Sequence, residues 1–263
     1  PLDDRMVDWL FMNPVSDGGQ FTGLADNVSK YGVVPREAMP ETYSSENTSR
    51  LRQLLSTKLR RDGMELRRMA AGGAKAKALE ARKQQMLADV YRMLALTLGE
   101  PPAEFVWKRK DSKGNTVDSR KYTPQEFYAE YFGNDLKGNY VMLMNDPSRP
   151  YYKVYEIDYD RHTYDGDNWR YINLPVEEIK AAAIASIKDS TAMYFSCDVG
   201  KQMDRTNGTL DLDNYDYEAL MGVSLDMDKR DRILSHASAS THAMTLVGVD
   251  IDANGKPTSW LIE

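Results

Sequence analysis

The feature that most constrains this chain is a helical tract from Ser45 to Gly99, broken only at Ala71-Gly72-Gly73-Ala74. Leu51, Leu54, Leu55, Leu59 and Leu66 share one stripe, and Met86, Val90, Met93, Leu94 and Leu98 share another. Spacings of three and four residues put each set on one face of a helix. An apolar stripe must be covered, and a glycine pair lets the chain reverse. The tract therefore reads as an antiparallel pair of long helices, ended by Gly99 and Pro101-Pro102. Its outward side is basic: residues 50–83 hold eleven Lys/Arg against three Asp/Glu, in a chain of net charge −6. Two readings stay open for that face: a solvated surface, or a contact with another subunit or an acidic partner.

Before the helices, Asp17-Gly18-Gly19-Gln20 marks a place where backbone approaches something closely or takes positive φ. A helix with Phe21, Leu24 and Val28 on one face follows and ends at Gly32. After the tract, strands dominate. A hairpin is expected over 104–122 around Asp111–Asn115, a short aromatic helix over 124–132, and strands over 140–144 and 153–159. A helix is expected over 175–188 and an apolar strand over 191–197. Residues 204–232 read as acidic and irregular. Strands over 241–250 and 256–263 are joined by Asn254-Gly255, a strong hairpin signal. Helical first and strand-rich later, the order predicts an α+β fold.

Composition narrows the function. No run of 18 or more apolar residues exists, so no membrane helix is written in the chain. One cysteine excludes an intrachain disulfide framework, and three histidines leave little for a transition-metal site. Neither a metal nor an organic cofactor is expected. Asp250-x-Asp252-x-Asn254-Gly255 begins like a calcium loop, but Leu261 stands where the bidentate acid belongs. It is read as a hairpin turn. Cys197 ends an apolar strand and precedes Asp198, whose charge would raise the thiol pKa, so it is read as a structural cysteine. His162 and His236 lie in polar stretches and are read as surface residues, whereas His242 enters an apolar strand. Pattern alone makes a satisfied core histidine the plainer reading of His242.

Several motifs, taken in order, change that balance. Ser240-Thr241-His242-Ala243-Met244, followed by a hairpin and Trp260-Leu261-Ile262-Glu263, resembles the histidine strand of papain-like cysteine peptidases. More narrowly it resembles the bleomycin hydrolase and bacterial aminopeptidase C subfamily. Asn13-Pro14-Val15-Ser16-Asp17-Gly18-Gly19-Gln20, Tyr31-Gly32-Val33-Val34-Pro35 and Gly99-Glu100-Pro101-Pro102 agree with that subfamily. So do Ala185–Asp189, Cys197-Asp198-Val199-Gly200-Lys201 and Tyr217–Ser224.

The resemblance implies a papain-like fold with a long helical-hairpin insertion. It places a substrate-cleft segment at 1–44, the insertion at 45–103 and a strand-rich domain with the histidine at 104–263. It makes His242 the general base and acid paired with a cysteine thiolate. Ala243 and Phe21 would border the pocket for the substrate's second residue, and the Gly18-Gly19 backbone would pair with the substrate as an added strand. The family's nucleophilic cysteine and oxyanion glutamine would precede Pro1, and its asparagine would follow Glu263. The chain is thus expected to be an internal segment of a cysteine aminopeptidase, truncated at both ends and inactive alone. Short peptides with a free N-terminus are the implied substrates, and a homo-hexamer the implied assembly. Rival readings are a non-catalytic scaffold, and nucleic-acid or acidic-partner binding by the basic hairpin. Residues 50–83 lack the stacking aromatics that favour single-strand binding. Localisation stays open: one cysteine slightly favours a reducing cytoplasm, and export is compatible.

Overall fold

The computed structural model describes residues 2–16 and 18–263. Pro1 and Asp17 of the Asn13–Gln20 motif lie outside the described residues. The chain divides into two compact units, one comprising residues up to Gly19 with Leu24–Asp135, the other Gln20–Gly23 with Leu136–Glu263.

The first unit opens with α1 (Arg5–Met12), which the sequence reading passed over. Asp4 caps it, accepting from Met6 N and Val7 N. Helix α2 (Phe21–Tyr31) ends where expected, with Gly32 at φ +75°. A Cβ on Gly32 would stand 2.3 Å from the Pro124 carbonyl oxygen, so both conformation and space demand glycine there.

The long tract is three helices. A short α3 (Tyr43–Glu46) breaks at Asn47, then α4 (Thr48–Ala71) and α5 (Ala76–Leu98) form the expected pair, with Gly72 at the C-cap of α4. Leu51, Leu55 and Met86 are buried. The expected stripe needs one correction: Leu54 is 51% exposed, while Asp62 is buried in the same helix. Asp62 tolerates burial because Lys58, one turn back, pairs with it and also reaches Asp89 of α5 at 3.2 Å. Arg82 of α5 likewise donates to Glu65 of α4 at 2.7 Å. Part of the basic character is therefore internal to the hairpin. Arg60 donates to Phe11 O and Met12 O, the orphan carbonyls at the end of α1. Gly63, unfavourable in mid-helix, admits Phe11 at 3.1 Å from where its Cβ would stand.

Strands β1 (Phe105–Lys110) and β2 (Thr116–Tyr122) form the expected hairpin, and α6 (Pro124–Tyr131) packs on it. Phe105, Tyr122 and Phe127 are its buried centre, flanked by Val33, Val34, Ala38 and Trp107.

The second unit holds a mixed sheet and an antiparallel one. In the first, β5 (Arg170–Asn173) lies between β3 (Leu143–Met144) and β4 (Lys153–Glu156). The expected strand over 140–144 shrinks to two residues, that over 153–159 to four, and β5 was not foreseen. Asn173 is fully buried and satisfied: it accepts from Asp146 N and donates to Asp146 O, Arg149 O and Pro150 O. After α7 (Val176–Lys188) comes β6 (Met193–Cys197).

The acidic tract 204–232 is not irregular as read. It follows β7 (Met203–Asp204) and contains β8 (Thr209–Leu210), a 3-10 turn at Leu212–Asn214, α8 (Tyr217–Met221) and α9 (Lys229–Leu234). Asp211, Asp216 and Asp228 each accept a backbone N–H at the start of one of these turns or helices. Much of the acidity is capping. The chain closes with β9 (His242–Ile251) and β10 (Pro257–Ile262).

Candidate active site

Strand β9 is the middle of three, antiparallel to β6 on one side and β10 on the other. Helix α7 packs against it. Strand alternation places His242, Met244 and Leu246 on one face. Along that face the exposure falls from an exposed His242 through a half-buried Met244 to Leu246, 7% exposed. The histidine therefore stands at the open end of a strand anchored further on. Turn chemistry closes β9 onto β10. Asp252 Oδ1 accepts from Asn254 N at 2.9 Å and Lys256 N at 2.8 Å, and Gly255 takes φ +82°. The calcium-like spacing is used for this hairpin. Among the described residues no three His, Cys, Asp or Glu side chains gather as metal ligands, and no helix is long and apolar enough to cross a membrane.

The register pairs His242 with Cys197 and Ala243 with Ser196. Directly opposed residues project to the same face, so the thiol and the imidazole are cross-strand neighbours. The thiol pKa is pushed up, first by burial and then by the Asp198 charge. A thiol held protonated is a poor nucleophile. Ser196 escaped the sequence reading, because nothing local signals which residue faces Ala243 across the sheet.

Phe21 lies in the same unit as His242. Its ring is half-buried against Tyr140 at 5.4 Å and Tyr194 at 6.2 Å between centroids. Tyr194 belongs to β6, opposite Thr245, and its hydroxyl donates to Gln20 Oε1 at 3.1 Å. By the same alternation Phe21 packs on the face of the β6–β9 pair that carries Tyr194, Ala243 and Thr245, opposite the face of His242. Tyr194 and Tyr140, unselected from sequence, complete the aromatic wall.

Gly18 and Gly19 belong to the first unit and are exposed, outside any helix or strand. A Cβ on Gly18 would meet Ser16 Oγ at 3.5 Å, and the Gly18 N–H already donates to that oxygen at 3.1 Å. His162 lies against Gly23, where a Cβ would stand 2.0 Å from its Nδ1. His236 is exposed in a turn at φ +60°.

Comparison with known proteins adds three findings. All residues 1–263 match the model of the Peptidase C1-like family. The chain is 39% identical to aminopeptidase C of Lactobacillus delbrueckii subsp. lactis and 37% identical to human bleomycin hydrolase, over its whole length in each case. It spans 59% of the length of each of these two curated relatives. Its fold superposes on the crystal structure of PepW from Lactobacillus rhamnosis with a TM-score of 0.96 at 40% identity, covering 100% of this chain and 59% of that one.

Proposed function

This chain belongs to the Peptidase C1-like family, and from that premise we propose that the protein carrying it is a cysteine aminopeptidase with His242 as its general base and acid. The observation that carries the reading is the placement of His242, exposed at the head of a strand whose buried continuation fixes it. A cysteine thiolate outside these 263 residues attacks the first peptide carbonyl. The His242 imidazolium gives its proton to the leaving amine, and a thioester forms. Neutral His242 then takes a proton from water, whose oxygen attacks the thioester and releases the N-terminal residue. Phe21 and Ala243 border the pocket for the substrate's second residue, and the Gly18-Gly19 backbone pairs with the peptide. Substrates are short peptides with a free N-terminus. No metal or organic cofactor enters these steps. The 263 residues alone, lacking the nucleophile, do not hydrolyse peptides.

The test is hydrolysis of aminoacyl arylamides by the full-length protein and its His242→Ala variant. Loss of about a hundredfold or more in kcat is expected from removing a general acid-base. Full activity in the variant refutes the role. Assembly into a hexamer is the accompanying proposal, read by sedimentation velocity. Nucleic-acid binding through residues 50–83 is a weaker second reading, because Arg60, Arg61, Arg82, Lys58 and Lys83 are already engaged within the unit.

A further inference from the structure

The run Ala237-Ser238-Ala239-Ser240-Thr241 leads into His242 without regular structure, and its side chains are small and mostly exposed. It buries little apolar surface, so burial cannot hold it in one place. Hydrogen bonds do. Thr241 N donates to Cys197 O at 3.0 Å, and Val199 N donates to Thr241 Oγ1 at 3.1 Å. Ser196 and Ser240 hydroxyls are in contact. Ser238 Oγ donates to Asp198 Oδ2 at 3.0 Å, and Lys201 Nζ donates to the same oxygen at 2.8 Å. Lys201 Nζ also donates to Ala237 O. Except for the Lys201–Asp198 pair, which lies within the turn, each of these ties joins the segment 237–241 to the end of β6 or the turn just after it.

We propose that Asp198 is a positioning residue for His242, its carboxylate binding the 237–241 run to the end of β6 and thereby setting where the imidazole stands. The inference rests on the reading of His242 given above. Three features single out Asp198 among the ties. It is the shared acceptor for donors from both sides, Ser238 on the incoming run and Lys201 on the turn. Its side chain is only 13% exposed, against 54% for Lys201, so the carboxylate is the shielded member of the pair. A shielded carboxylate must keep its partners, which makes the arrangement single-valued. Burial works to raise its pKa, but hydrogen bonds from Lys201 and Ser238 more than offset this and leave the carboxyl below its ordinary value. Strand register adds the consequence. A slip of one residue along β9 would turn His242 to the opposite face of the sheet. Asp198 does not reach the reacting atoms; it acts through the chain that carries the imidazole.

The experiment uses the full-length protein with Asp198→Ala, Asp198→Asn and Ser238→Ala, and His242→Ala as reference. Steady-state kinetics on aminoacyl arylamides are read together with the His242 imidazole cross-peaks in a histidine-labelled NMR spectrum. Misplacement of a catalytic group costs turnover more than binding, so Asp198→Ala and Ser238→Ala should lower kcat about tenfold or more with KM within about twofold. The His242 cross-peaks should shift or broaden while the thermal midpoint holds. Asp198→Asn keeps an oxygen for Ser238 and should recover part of kcat. Should Asp198→Ala fail to fold, Ser238→Ala decides alone, since it removes one hydroxyl from an irregular segment. Unchanged kcat and unchanged His242 cross-peaks in Ser238→Ala and Asp198→Asn overturn the proposal. So does a loss of activity that merely tracks the unfolded fraction. If His242→Ala is fully active, the catalytic reading of His242 falls and this proposal falls with it. An inactive His242→Ala beside fully active Asp198 and Ser238 variants removes the positioning role alone.

Discussion

Leu246 tests whether the histidine strand is held by its buried half. It is 7% exposed and stands opposite Met193 of β6 and Ile262 of β10, on the face that begins with His242. Leu246→Ala removes three carbons. At about 0.8 kcal/mol per buried methylene, the transfer loss is about 2.4 kcal/mol. The space left between two flanking strands collapses only in part, which brings the expected cost to about 3 kcal/mol. Urea unfolding followed by near-UV circular dichroism measures it. With a slope of about 3 kcal/mol per molar, the midpoint should fall by about 1 M with the slope unchanged. Leu261→Ala, on β10 and 61% exposed, is the internal control. It should move stability by less than about 0.5 kcal/mol. Hydrogen exchange at the amides of Ala243–Val247 should accelerate in Leu246→Ala and not in Leu261→Ala. Equal effects of the two substitutions, or a loss under about 1 kcal/mol in Leu246→Ala, would refute the argument that burial at Leu246 anchors the strand.

Three further outcomes follow from the first unit. Gly32→Ala places a Cβ 2.3 Å from the Pro124 carbonyl oxygen at φ +75°, so it should destabilise by more than about 1 kcal/mol, read as a fall in the thermal midpoint. Gly73→Ala, also at positive φ but with nothing near its Cβ, should cost less, since it carries only the conformational part. The carboxyl of Glu65 is held below its ordinary value by the hydrogen bond from Arg82. A lowered folded-state pKa contributes stability above the unfolded value of about 4.3 and loses it as pH falls through the folded value. Glu65→Gln should therefore weaken the α4–α5 pair at neutral pH and flatten the acid side of its pH–stability curve, measured by helical circular dichroism between pH 2 and 7.

Elements encoded by neighbours in the chain were legible. The α4–α5 pair follows from leucine and methionine spacing with Gly72-Gly73 between them. The β9–β10 hairpin follows from Asn254-Gly255, and α7 from the spacing of its apolar residues. What failed was short or relational. Arg170-Tyr171-Ile172-Asn173 is too brief to show a period, and it is a strand because β3 and β4 offer it hydrogen bonds on both sides. The burial of Asp62 carries no local signal, since a carboxylate is usually exposed; Lys58 makes it tolerable. The capping roles of Asp211, Asp216 and Asp228 were hidden inside what looked like plain acidity.

By itself the sequence determined the helical hairpin, the α+β order, the closing β-hairpin and, through its motifs, the family, with His242 as the proposed catalytic histidine. Periodicity and turn chemistry act within a few residues, so a linear reading can recover them. The tertiary structure alone decided that Cys197 faces His242, that Ser196 faces Ala243, that Tyr194 backs Phe21, and that Asp198 holds Ser238. Those pairs join residues about forty or more positions apart, apart from Tyr194 and Phe21, which are farther still. Their partnership depends on strand register, and register is set by which face of β9 is buried and by hydrogen bonds between distant segments.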